Sequence, residues 1–176
     1  MHHYQDLISL FKQTFQESNG TILVSGEGEP LYQPRSENCP HHQVIFANGF
    51  YQSALHEIAH WCIAGDKRRE LVDYGYWYQP DGRSAEQQSI FEGVESKPQA
   101  IEWIFSMAAG SRFYVSVDNL AGEATDPTTF KLAIYQRVCH YLSAGLPPQA
   151  KFFYEALLKH YGNQPLRVEQ FDVEAI

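Results

Sequence analysis

A chain of 176 residues, 44% hydrophobic and 14% aromatic, is long enough for one substantial core and is neither disordered nor fibrous. Its formal charge of -8, with no dense Lys/Arg cluster beyond "DKRRE" (66–70), disfavours general nucleic-acid binding; a cationic substrate or a basic patch on a protein partner is easier to accommodate. No apolar run reaches the length of a membrane span, no secretory signal opens the sequence, and Cys39, Cys62 and Cys139 lack CxxC spacing, so the expected compartment is a reducing cytoplasm.

Tyr4, Leu7, Ile8, Phe11 and Phe15 recur at helical spacing, and "SNG" ends that helix. "TILVSG" (21–26) and "QVIFA" (43–47) read as strands, separated by a long irregular loop, "GEGEPLYQPRSENCPHH". A helix follows from Phe50 to about Ala64, with Ala54, Ile58, Trp61 and Cys62 facing inward and Gly65 placed to stop it. "LVDYGYWY" (71–78) has strand composition, and "PDGRS" is turn chemistry. "SAEQQSIFEGVESKPQAIEWIFSMAAG" (84–110) is helical for most of its length, with Pro98 expected to kink or interrupt it. "RFYVSVDNL" (112–120) is another strand candidate. Asp126 as N-cap and Pro127 at the first position open a helix that ends at Gly145, and "PPQAKFFYEALLKHYG" is one more. The expected fold is α+β: a single compact domain over residues 1–176, a small mixed sheet packed with several helices, and an HExxH-bearing helix at a metal site.

The chemistry concentrates in "HEIAH". His56 and His60 lie four apart, so on a helix both imidazoles share one face and converge on a point that an ion can occupy. Two histidines hold a metal poorly, so a third ligand is needed. Asp66 follows His56 by ten residues, as in metzincin-type zinc sites, but Ile63 stands where those sites want glycine. Glu92 and Glu95 stand on the later helix, and a helix packed antiparallel to HExxH supplies the carboxylate in glutamate-type zinc sites. Glu95, next to the Pro98 break, is favoured over Glu92 and Asp66; plain solvation of a helix face is the alternative for both glutamates. Two His and one carboxylate suit Fe(II) and Zn(II) alike. With zinc, Glu57 polarises a bound water, the chemistry of a metallopeptidase; with Fe(II), the set has the facial-triad logic of oxygenases and Glu57 orients a neighbour. Cys62 points away from the histidine face, and His41 and His42, in the early loop, are alternative ligands.

The stretches "FANGFYQSALHEIAHWCIAGDKRRELVDYGYWYQPDGRS", "FEGVESKPQAIEWIFSMAAG" and "VSVDNL" resemble the elongation factor P hydroxylase family, most densely from Val44 to about Leu120. The resemblance implies an Fe(II)-dependent monooxygenase that uses O2 to hydroxylate the β-lysylated lysine of elongation factor P, a post-translational modification of the translation apparatus. Zn(II) or another divalent ion is possible in a purified sample. It also implies a compact α/β arrangement similar to a small metal-dependent endoribonuclease, with metal ligands carried onto His56, His60 and Glu95. Within that reading Tyr74, Tyr76, Trp77 and Tyr78 wall the site, Asp73 and Asp81 meet substrate amines, and Asp73, Tyr76 and Trp77 are the substrate-binding candidates; a half-buried strand with its aromatics in the core is the alternative of equal weight. Arg68 and Arg69 read as solvated charges, and Asp118 and Asn119 as a turn.

Overall fold

The computed structural model describes residues 2–75, 81–117, 119, 121 and 126–176. The apolar spacing of the first segment gives α1 (Tyr4–Phe11), which passes through a π-helical turn at Lys12–Gln16 into α2 (Glu17–Asn19) and stops at Gly20 in the left-handed region. Three strands follow: β1 (Thr21–Gly26), β2 (Leu31–Gln33) and β3 (His42–Ala47). They form a mixed sheet in the order β1-β3-β2, with β1 parallel and β2 antiparallel to β3. The loop expected between the first two strands therefore carries the edge strand β2 and a tight Ser36–Cys39 bridge. Alternation in β3 buries His42, Val44 and Phe46.

Helix α3 (Tyr51–Ile63) buries Ala54, Ile58, Trp61 and Cys62, the face its sequence marks as inward. Its start is tied to the sheet, because the Ala47 amide donates to Ser53 Oγ at 3.0 Å. Its end is held by Arg69, which is buried rather than solvated: its guanidinium donates twice to the Trp61 carbonyl, at 3.0 and 3.3 Å, and lies 4.2 Å from the centre of the Trp61 ring.

Helix α4 (Ala85–Ala109) begins at a Ser84–Gln87 capping box and runs 25 residues, uninterrupted at Pro98. α5 (Thr128–Ala144) and α6 (Pro148–Tyr161) close the molecule. Asp126 takes the Thr128 amide and hydroxyl at 3.0 and 2.6 Å, one position earlier than a formal N-cap. One hydrophobic cluster joins α1, the sheet, α3, α4 and α6; a second joins α4, α5 and the Phe113 and Phe171 segments.

Two expected strands, 71–78 and 112–120, do not form among the described residues. Val72–Gly75 is a tight turn in which Asp73 (φ 47) and Tyr74 (φ 58) adopt the left-handed region. Residues 112–117 run without a partner strand among the described residues, and side chains of α4 take over the backbone pairing: Gln99 exchanges both amide bonds with Ser116, at 2.7 and 3.1 Å, and Gln88 donates to the Val117 carbonyl. Asn119 is more than a turn residue, bonding Arg83 N and O at 2.7 and 3.1 Å. Among the described residues no helix is long and apolar enough to cross a membrane.

Candidate metal centre

Helices α3 and α4 pack antiparallel, since His56 meets Glu102 while His60, one turn further on, meets Glu95. His56 Nε2 and His60 Nε2 are 3.0 Å apart, Glu95 Oε1 is 3.3 Å from His60 Nε2, and Glu95 Oε2 is 3.6 Å from His56 Nε2. Ligand atoms around one ion at ~2.1 Å stand ~3.0 Å apart at right angles and ~3.4 Å apart in a tetrahedron. Two imidazole nitrogens and one carboxylate oxygen, all within 4.8 Å of one another, thus fit a divalent iron or zinc ion in both donor chemistry and spacing.

The carboxylates behave differently. Glu95 is buried; burial raises its pKa, but His60, His56 and a Gln99 hydrogen bond more than reverse this and hold it at about 2. It is thus an anion ready to ligate. Burial works against a charge on His56, yet Glu102, Glu95 and Glu57 outweigh it and hold that imidazole up at about 10. Glu57 is half-buried beside the pair, and burial raises its pKa, with His56 and His60 offsetting part of the effect.

Glu102, which the sequence reading missed, sits with its carboxylate 2.8 Å from His56 Nδ1. That contact occupies Nδ1 and leaves Nε2 facing Glu95, the arrangement in which an outer carboxylate orients a ligating histidine. A signal for it exists in the sequence: Gln88, Glu92, Glu95, Gln99 and Glu102 recur at alternating steps of four and three. That is the period of a buried helix seam, here occupied by polar side chains.

Other candidates fall elsewhere. Asp66 is fully exposed, 3.6 Å from Arg69, and Glu92 accepts from Gln88 at 3.0 Å. His42 is engaged by Tyr32 and the Arg35 amide, and His41 contacts Gln16. Asp73 accepts the Tyr32 amide at 2.8 Å, pinning the strained turn to β2, while Tyr74 stacks on Tyr32 at 4.3 Å. Asp81 accepts from Gly82 and Ala121 amides. Tyr76, Trp77, Tyr78 and Asp118 lie outside the described residues. A cavity of about 710 Å³ opens beside His60, between the end of α3 and the middle of α4.

The model of one protein family, elongation factor P hydroxylase, matches residues 10–171. The elongation factor P lysine hydroxylase of Haemophilus influenzae is 48% identical over 176 residues, covering 99% of this chain and 99% of that protein. Since the match spans the HEIAH helix, the polar seam facing it and the segment that the seam holds, the chain belongs to the elongation factor P hydroxylase family.

Proposed function

We propose that the protein is an Fe(II)-dependent hydroxylase that uses O2 to place one hydroxyl group on the β-lysylated lysine side chain of elongation factor P, acting in the cytoplasm. Family membership supports hydroxylation of that factor. The observation that carries the metal reading is the convergence of His56 Nε2, His60 Nε2 and the Glu95 carboxylate. Those three residues would hold the ion, and bound Fe(II) would supply the activation of O2 needed to attack an unactivated C–H bond.

The chain's own groups do the rest. Glu102 accepts the Nδ1 proton of His56 and fixes its tautomer. His60 and His56, with a hydrogen bond from Gln99, keep Glu95 ionised, and Gln99 is itself tied to the 116 backbone. Glu57, one residue from His56 and half-buried, is positioned to orient a bound water or a substrate amine. Asp73 has a second carboxylate oxygen to offer the cationic substrate, and Tyr76 and Trp77 complete the candidate substrate contacts. Tyr74, buried against Tyr32, keeps bulk water from that side.

Purified protein loaded anaerobically with ferrous iron, then given O2 and β-lysylated elongation factor P, should add the mass of one oxygen atom to the factor. No gain with demonstrably iron-loaded protein would overturn the assignment. His60→Ala should lose both iron and activity.

A further inference from the structure

Hydroxylation by O2 leaves two electrons unaccounted for. O2 accepts four on full reduction, and conversion of C–H to C–OH provides two. The cavity beside His60 has the chemistry to hold their source. Its wall is apolar, with Ile63, Val94 and Pro98, and its rim carries Lys67, Arg68 and Lys97. Both lysines are exposed, and among the described residues neither side chain has a hydrogen-bond or ion-pair partner. Among the described residues the one acidic group on the rim, Asp66, faces Arg69 at 3.6 Å. Three of the 13 basic residues of a chain with net charge -8 thus surround one opening.

Such a rim repels the amines of a lysyl substrate and attracts an anion. The volume and the apolar wall suit the carbon skeleton of a small molecule. We propose that this cavity binds a small organic anion that donates two electrons to the hydroxylation, with Lys67, Arg68 and Lys97 holding its charge and the apolar wall its skeleton. The donor role rests on the hydroxylase reading above. The balance closes in either of two forms. An enediol acid such as ascorbate gives up two electrons and two protons, so that one oxygen atom enters the substrate and the other leaves as water. A 2-oxo acid takes the second oxygen atom into a new carboxylate as its C1–C2 bond breaks and CO2 leaves.

Binding is tested first on metal-free protein, titrated calorimetrically at low salt with 2-oxoglutarate and, separately, with ascorbate. The expected result is saturable binding of at least one, weakened tenfold or more in Lys67→Ala/Lys97→Ala; both side chains are exposed, so the variant should keep its circular dichroism. Failure of both anions to bind, or equal binding by the variant, overturns the proposal. With iron, O2 and substrate, the anion that binds should be consumed once per hydroxyl formed, as CO2 release for the 2-oxo acid or as dehydroascorbate for ascorbate. The double variant should raise its KM about tenfold. Hydroxylation at full rate without either anion overturns the donor role and leaves the hydroxylase reading standing. Lysine-dependent anion binding in an iron-loaded protein that hydroxylates nothing retains the anion site and overturns the hydroxylase reading and the donor role together.

Discussion

Glu102 reaches the candidate ion only through His56, so its role is separable from ligation itself. Replacing it by Ala leaves Nδ1 of His56 without its acceptor and frees the ring to rotate or change tautomer, and losses of this kind lower metal affinity by about 10–100-fold. Chelator competition should therefore find Glu102→Ala weakened in that range, Glu102→Gln intermediate, and His56→Ala without measurable binding. An unchanged affinity in Glu102→Ala would show that the contact is incidental. His56 also makes ion binding pH-dependent. Its pKa of about 10 keeps the imidazole protonated in the metal-free protein at neutral pH, and an ion must displace that proton. Affinity should thus rise with pH from 6 to 9, and calorimetry in buffers of differing ionisation heat should detect release of about one proton or more per ion. For the metal-free fold the sign is opposite: the raised pKa means that His56 contributes stability below its ordinary value of 6.5, which is lost as pH rises through about 10. Glu95, held at about 2, contributes above 4.5 and loses that contribution as pH falls towards 2.

At the scale of elements, α4 works by turning a polar seam inward. Gln88 and Gln99 use it to hold residues 116 and 117, and Glu95 and Glu102 use it to face α3. Gln99→Leu would keep the volume and remove both bonds to Ser116, and it should destabilise the fold by about 1–3 kcal/mol in urea unfolding. A neutral result would mean that solvent already reaches that backbone. The same seam explains what sequence patterning could and could not reveal. β1, β3, α3 and α6 follow from local periodicity, and His56, His60 and Glu95 from four-residue spacing plus one antiparallel packing step. Residues 112–117 have strand composition, but whether an extended segment joins a sheet depends on what lies beside it, and here side chains of a distant helix lie there. "LVDY" fails for a different reason: Asp73 and Tyr74 occupy the left-handed region, about 1–3 kcal/mol of strain per residue, held in place by the Tyr32 amide and ring. Arg69 looked like surface charge because nothing local shows that the end of α3 needs a donor.

For the whole molecule, the candidate ion site lies where α3, part of the core formed with the sheet, meets α4, which contributes to both hydrophobic clusters. Without an ion, three carboxylates and two imidazoles gather at that junction; burial and the neighbouring Glu95 raise the pKa of Glu57 and Glu102, and the attraction of His56 and His60 offsets only part of that cost. A divalent ion supplies the missing positive charge and cross-links the two helices, so its binding energy appears as folding stability. At free ion about 100-fold above the dissociation constant the gain is about 2.7 kcal/mol. For a chain of this length that corresponds to about 5–10 °C in Tm. Thermal scans of chelated and reloaded protein should show that rise, increasing with ion concentration, and His60→Ala should show none of it. If reloading moved the wild type and His60→Ala equally, the stabilising ion would be bound elsewhere, and the pair of imidazoles would lose its place at the centre of the site.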